Sequence, residues 1–350
     1  AMAANISSTD WMETVPDDTR LSKMSIPGTH DSCTQYVDMR YIFQCQDASV
    51  ATQLIYGYRY LDMRLVLEQK HDQQTLVLKH NIARCKTSNS PFAGTLTLDD
   101  VLRDVYAFLV AHPTETIILC MKAENSKDDV ADVQSALYER IDTNPDRWYL
   151  KNEIPTLGEV RGKIVLLRRF RLAGNSVSGH TWGLDLTEWD DKAKAHSDST
   201  TMCLVQDARG FEETDDAGTK EPYCTKVYAQ DKYKLSGTDK LIWVDNALKK
   251  TTELTRGNVD VEDADGAKVQ VQERCWSINY TSCTGLSHGG NPFTSARVVN
   301  EHLYKSPYIN PSGIEDTKSD YLKHIGIIAS DFVDAALARS IYQRLSLIHI

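Results

Sequence analysis

Short apolar runs of strand length, each ending on polar or charged residues, alternate along this chain with amphipathic stretches of helical length. That alternation constrains the fold more than any other feature, because parallel strands need crossover connections and the crossover is usually a helix. Strands are expected at residues 23–26, 60–67, 75–78, 116–122, 163–167, 226–230, 276–280 and 326–330, and helices at 98–111, 130–140, 238–252, 292–304 and 332–345. About eight strands in a chain of 350 residues point to an α/β barrel of the TIM type, read as a single domain over 1–350. Residues 171–221 and 256–274 are rich in Gly, Ser, Thr and Asp with little periodicity, and read as long insertions between barrel elements.

Composition narrows the classes of function. The formal charge of -10 argues against nucleic acid as a partner and against strong electrostatic attachment to anionic lipid. Hydrophobic residues make up 41% and no run of about eighteen apolar residues occurs, so any membrane contact is expected to be peripheral. The first five residues lack the charged and apolar regions of a signal peptide and read as the start of a mature chain, while residues 346–350 trail past the final helix. The eight cysteines form no CxxC or Cys/His zinc spacing. Their even number fits disulfides in an oxidising compartment, with Cys33–Cys45 and Cys275–Cys283 the expected pairs because each is close in sequence, and Cys120 free inside an apolar run.

In a barrel of this kind the chemistry sits at the C-terminal ends of the strands. Met24-Ser25-Ile26 runs into Pro27-Gly28-Thr29-His30-Asp31, Tyr60-Leu61 into Asp62-Met63-Arg64, and Leu76-Val77-Leu78 into Lys79-His80. Later runs deliver Lys122, Arg168, Asp231 with Tyr233, and Asp331. Two histidines, a guanidinium and several carboxylates at one mouth suit cleavage of a phosphodiester by an internal hydroxyl. One imidazole takes the proton of the attacking hydroxyl, the other protonates the departing alkoxide, and the guanidinium offsets charge on the phosphoryl oxygens.

With these residues in place the chain resembles the X-domain phosphatidylinositol-specific phospholipases C, most closely the secreted bacterial type. The resemblance rests on Ser25-Ile26-Pro27-Gly28-Thr29-His30-Asp31-Ser32, Gly57 to Arg64, Val77-Leu78-Lys79-His80, Pro113 to Ile118, Arg161 to Arg169, Gln230 to Lys234, Ile278 to Ser282 and Ser330-Asp331-Phe332, in family order. It implies an irregular TIM-type barrel and a metal-independent, cofactor-free lyase that releases diacylglycerol and a cyclic inositol 1,2-phosphate. It makes His30 the general base with Asp331 its partner, His80 the general acid supported by Asp31, and Arg64 the phosphate ligand. Asp62, Lys122, Arg168, Asp231 and Tyr233 would line the inositol pocket, with Arg169 as the alternative to Arg168. The implied partner is phosphatidylinositol in membranes, with glycosyl-phosphatidylinositol anchors a second candidate, and the implied state is a secreted monomer.

Other readings are open at this stage. Asp31 is also a reasonable cap for the segment that follows it, Asp331 for the last helix, and Lys122, Arg168 and Asp231 are also reasonable strand-end ion pairs. Trp182, Trp189 and Trp243 fit core packing better than a membrane surface. The remaining histidines, His71, His112, His180, His196, His288, His302, His324 and His349, read as surface or structural. A metal-dependent TIM-barrel glycerophosphodiesterase or sphingomyelinase D would need an acidic ligand where Arg64 stands, and a non-catalytic lipid-binding barrel would have no use for His30, Arg64 and His80 together.

Overall fold

The computed structural model describes residues 6–124, 130–173, 182–189, 202–213, 218, 220–254, 258–309 and 324–343. Residues 346–350, the side chains of His180, His196 and His349, and much of the expected 171–221 insertion lie outside them. In chain order the strands are β1 (Ser25–Thr29), β2 (Tyr60–Lys70), β3 (Gln73–His80), β4 (Ala83–Arg84), β5 (Ile117–Ala123), β6 (Trp148–Tyr149), β7 (Ile164–Arg168), β8 (Leu184–Asp185), β9 (Cys203–Glu213), β10 (Lys220–Gln230), β11 (Asn258–Glu262), β12 (Lys268–Tyr280) and β13 (Gly326–Ser330). The helices are α1 (Arg40–Phe43), α2 (Val50–Tyr56), α3 (Leu98–Ala111), α4 (Val130–Asp142), α5 (Leu157–Val160), α6 (Gly237–Glu253), α7 (Pro292–Lys305) and α8 (Ala335–Tyr342).

The strands join in the order β6-β7-β5-β2-β1-β13-β12-β10-β9, with parallel pairing throughout except the β9/β10 edge. The sheet curls into an incomplete TIM-type barrel, as the strand and helix pattern led one to expect. Pleating divides the core in two. Tyr60, Ile118, Cys120, Val165, Leu167, Val227, Trp276, Ile278, Tyr280 and Ile327 belong to one cluster. Leu61, Met63, Leu65, Ile117, Leu119, Ile164 and Leu166 belong to a second, packed with α3 and α4 residues Val101, Leu102, Val105, Val133 and Leu137. Close packing at β1 requires a glycine: a Cβ on Gly28 would lie 2.8 Å from Tyr60 Cβ.

Two expectations need correction. The stretches read as irregular insertions carry strands: β9 and β10 pair antiparallel, as do β11 and β12, extending β10 and β12 well past the barrel. These strands have exposed, polar residues such as Glu262, Lys268 and Gln272 on them, so the alternation that marks a half-buried strand is weak in their sequence. The expected disulfides are also absent, since all eight cysteines are free. Cys33 Sγ packs on Met63 Sδ at 3.7 Å, whereas Cys45 Sγ turns toward His80. Cys275 Sγ instead bonds Glu273 inside β12, and Cys283 lines the cavity beyond the end of that strand.

A buried ion pair ties the N-terminal segment to the barrel. Arg59 and Glu115 are both fully buried, with Arg59 Nη2 2.9 Å from Glu115 Oε1. Arg59 also donates to the carbonyls of Ser8, Thr9, Leu54 and Tyr58, and Glu115 accepts from the Met12 amide. Removing one partner strands the other charge in a fully buried site. Glu115→Ala is therefore expected to lose about 3–5 kcal/mol of stability in denaturant titration, and a loss below about 1 kcal/mol would show the pair to be dispensable. For the cysteines, thiol titration of the unfolded, unreduced protein is expected to return all eight; each disulfide would remove two.

Candidate active site

Strand parity brings the polar residues together. Tyr60 and Cys120 face the barrel interior, so Asp62 and Arg64 on β2, and Lys122 on β5, share that face. Val165 and Leu167 face inward on β7, which sends Arg169 into the cavity and Arg168 outward. Arg168 donates to the carbonyls of Trp182 and Phe170 and lies 3.3 Å from Asp185. The sequence alternative, Arg169, is thus the cavity residue, and Arg168 is placed as a structural ion pair. His80 arrives by a different route. Its strand, β3, returns antiparallel along the long β2 rather than forming a barrel stave, and delivers His80 beside the other groups.

The cavity encloses about 290 Å³ and is lined by His30, Arg64, His80, Lys122, Glu124, Arg169, Asp231, Tyr233 and Asp331, among others. His30 Nδ1 lies 2.7 Å from Asp331 Oδ1, which fixes the proton on Nδ1 and leaves Nε2 for substrate. His80 Nδ1 lies 2.8 Å from the Phe43 carbonyl, which can only accept, so His80 also presents Nε2. Asp31 Oδ2 stands between the rings, 3.5 Å from His30 Nε2 and 3.3 Å from His80 Nε2. Arg64 donates to Asp62 from Nε at 2.9 Å and from Nη2 at 2.8 Å, and its Nε lies 4.0 Å from Asp31 Oδ1. Asp62 is buried behind Arg64 and does not line the cavity, so it holds the guanidinium where the sequence reading had it touching substrate.

The backbone is bent to reach this geometry. Asp31, Asn81 and Phe332 have φ of 41°, 55° and 47°, and each directly follows His30, His80 or Asp331. Three non-glycine residues in the left-handed region at one site store local strain that the surroundings must hold. Gln46 does part of that work, donating from its amide to the carbonyls of His30 at 2.7 Å and Ser330 at 2.8 Å. The cap of α8 is Asp334, whose side chain accepts from the Leu337 amide, so Asp331 is left for His30.

Charge and burial tune the groups. Burial works against a charged His30, but the Asp331 carboxylate and its hydrogen bond, with Asp31 behind them, outweigh it and raise the pKa to about 9. Burial raises the Asp331 carboxyl despite the opposing pull of His30. Burial likewise disfavours ionised Asp62, yet Arg64 holds it well below the usual carboxylate range. The same pairing, together with Asp31, overcomes burial to raise Arg64.

Several cavity residues escaped the sequence reading. Glu124 follows Lys122 by two residues and so shares its face; that parity was available as a signal. Its Oε2 lies 3.6 Å from Arg64 Nη1 and 3.9 Å from Lys122 Nζ. Trp189 supports the wall by donating to Asp231 at 3.0 Å and stacking under Arg169, 3.9 Å from ring centroid to guanidinium. Phe43 ends the short α1 and Cys45 follows in the loop after it, with no periodic signal. Tyr280 packs edge-on to His30 at 5.7 Å and bonds Tyr60 through their hydroxyls at 2.8 Å.

The family model for the phosphatidylinositol-specific phospholipase C X domain matches residues 21–170. The 1-phosphatidylinositol phosphodiesterase of Listeria monocytogenes is 32% identical over 172 residues, covering 47% of this chain and 49% of that protein. The enzyme of the same name from Staphylococcus aureus strain Newman is 27% identical over 195 residues, covering 53% of this chain and 58% of that protein. These aligned regions span about half the length of the curated relatives. The fold likeness is broader. A solved phosphatidylinositol-specific phospholipase C from L. monocytogenes aligns over 97% of this chain and 99% of its own with a TM-score of 0.65 at 22% identity. A double mutant of the S. aureus enzyme aligns over 96% of each chain with a TM-score of 0.64. The X-domain match thus covers the stretch from β1 to β7, and over nearly its whole length the chain is similar in fold to these solved phosphatidylinositol-specific phospholipases C.

Proposed function

We propose that the protein is a phosphatidylinositol-specific phospholipase C that works without a metal ion, and the observation that carries this reading is the shared carboxylate. Both catalytic nitrogens, His30 Nε2 and His80 Nε2, face one oxygen of Asp31, whose other oxygen lies 4.0 Å from Arg64. An acid, a base and a fixed cation thus surround one point of the cavity, as an in-line transfer within a phosphodiester requires.

His30 Nε2 takes the proton of the inositol 2-hydroxyl as its oxygen attacks phosphorus. Asp331 stabilises the imidazolium that forms. Arg64 offsets charge on the phosphoryl oxygens with donors that Asp62 has already oriented, and His80 Nε2 gives a proton to the departing diacylglycerol oxygen. Lys122, Arg169, Asp231 and Tyr233 line the space where the sugar hydroxyls would sit. The products are diacylglycerol and a cyclic inositol phosphate, because the attacking oxygen belongs to the substrate. A glycosyl-phosphatidylinositol anchor offers the same hydroxyl and phosphodiester and is a second substrate under this reading.

Membrane contact follows from the cavity rim. Tyr41, Ile42, Leu286 and Phe293 are 67%, 39%, 44% and 46% exposed, and Ile42 and Leu286 also line the cavity. A rim of apolar side chains can enter the interfacial layer while the mouth meets the headgroup. No helix among the described residues is long and apolar enough to cross a membrane. Secretion and a monomeric state belong to the same proposal and rest on the family resemblance.

Phosphorus NMR of the reaction on phosphatidylinositol in EDTA tests the function. Cyclic inositol phosphate is expected first, at undiminished rate, and His30→Ala and His80→Ala are each expected to fall by ~10²–10⁴ or more while staying folded. An acyclic phosphate as the first signal, or activity that returns only with calcium, would overturn the reading.

The pH profile tests the His30–Asp331 pair separately. A base must be neutral, so kcat/KM is expected to climb as pH rises toward the His30 pKa of about 9. In Asp331→Asn the group that raises this pKa is gone, so the acid limb is expected to move down by roughly one to two pH units while kcat falls. An unmoved limb would show that Asp331 does not act through His30.

A further inference from the structure

Cys45 lines the cavity but has no part in the acid–base scheme. Its thiol is buried, 3.9 Å from His80 Nδ1 and 3.6 Å from the Phe43 carbonyl. Its backbone is pinned on both sides: the Cys45 amide donates to Thr34 Oγ1 at 3.0 Å, and its carbonyl accepts from the Phe332 amide at 2.8 Å. Cys45, His80 and Asp31 each offer a donor atom within 4.8 Å of the other two. A second observation points at the same spot. Asp31 Oδ2 is buried and takes no hydrogen bond, although it is aimed between the two imidazoles.

A thiolate, an imidazole and a carboxylate make a donor set suited to zinc. Neighbouring donors around tetrahedral zinc stand about 3.3–3.6 Å apart. His80 Nε2 and Asp31 Oδ2 already have that spacing at 3.3 Å, and Cys45 Sγ, within 4.8 Å of the donor atoms of the other two residues, reaches it by a movement of roughly 1–1.5 Å at most. Arg64 opposes a second cation here, but its charge is engaged by Asp62 through two bonds and by Glu124 at 3.6 Å.

We propose that Cys45, His80 and Asp31 form a capture site for a thiophilic divalent cation, zinc above all, whose occupation closes the active site. Binding releases the thiol proton and any proton on His80 Nε2 to water, with no change of oxidation state. The metal then holds the nitrogen lone pair that would otherwise carry the proton for the leaving group, and it neutralises the carboxylate between the rings. The inhibitory half of this inference rests on the proposed acid–base function; the binding half does not.

The test therefore begins without lipid. Titrating the full chain with Co²⁺ is expected to give a near-ultraviolet sulfur-to-cobalt charge-transfer band and the intense visible bands of tetrahedral cobalt at one equivalent, bleached by Zn²⁺. Cys45→Ser and Cys45→Ala, with folding checked by circular dichroism, are expected to lose the charge-transfer band, whereas Cys283→Ser, at another cavity thiol, keeps it. On phosphatidylinositol vesicles the Zn²⁺ concentration for half-inhibition is expected to rise by roughly 10- to 100-fold in the Cys45 variants. Cobalt binding without the sulfur band, or with the band retained in both Cys45 variants, would overturn the site. The band together with zinc-insensitive turnover would overturn the inhibition. A protein that shows the band but cleaves no phosphodiester would instead refute the function on which the second half rests.

Discussion

Along a pleated strand the side chains change face at every residue, and in a curled parallel sheet this constraint decides which polar groups can meet at the mouth. Parallel pairing holds β1, β2, β5, β7 and β13 in a common register, with Thr29 opposite Ser330 and Leu61, Met121 opposite Arg168. The residue that leaves each strand on the interior face therefore arrives at a similar height. His30 after β1, Asp331 after β13, Arg64 and Lys122 paired across β2 and β5, and Arg169 after β7 all follow from it. A shift of one residue in any strand would turn its functional side chain into the helical layer, as the outward course of Arg168 demonstrates.

Convergence of this kind is opposed by desolvation and by like charge. Four carboxylates, Asp31, Asp62, Asp331 and Glu124, lie within one small region, and three of them are almost fully buried. Each is answered by a cation at short range: Asp62 by the two-pronged Arg64, Asp331 by His30, Glu124 by Arg64 and Lys122. Asp31 Oδ2 and Glu124 Oε2 both lack a hydrogen bond, and Asp31 is the one placed between the two histidines. The left-handed residues that follow His30, His80 and Asp331 add strain at the same place. Rigidity has to come from outside the cavity, through Gln46, the Arg59–Glu115 clamp and the helical layer over β2 and β5.

How much of this could be read in advance depends on what kind of interaction fixes each part. The barrel strands were legible because burial on both faces makes them continuous apolar runs, and α3 was legible to the residue because Thr97 and Asp100 form a capping box at its start. His30, His80, Arg64 and Asp331 were legible because each follows such a run. The choice between Arg168 and Arg169 needed the parity of Val165 and Leu167, which the sequence contains but which becomes decisive only once the interior face is known. Asp62 was assigned to substrate because a strand-end carboxylate looks the same whether it meets a ligand or a guanidinium. The hairpins of β9 to β12 are solvated strands with weak alternation. Cys45 and Trp189 lie in loops and Phe43 ends a one-turn helix, so tertiary contacts alone set their positions at or beside the cavity.

The use of arginine at the centre of such a site has a physical consequence. A divalent metal brings two charges and open coordination positions, but its carboxylate ligands must be kept free of other cations. A guanidinium brings one charge in a fixed plane and can be oriented by a single buried carboxylate, here Asp62 through Nε and Nη2. With Nε and Nη2 engaged, Nη1 is the arm on the Glu124 side, at 3.6 Å. That fixed cation lets the neighbouring carboxylates serve the histidines instead of a metal: Asp331 is committed to His30 and Asp31 is shared between the rings. The same arrangement leaves one soft donor, Cys45, beside an imidazole and an unsatisfied carboxylate oxygen. A site organised around a built-in cation thus carries, a few ångströms away, the donors by which a foreign one could hold it shut.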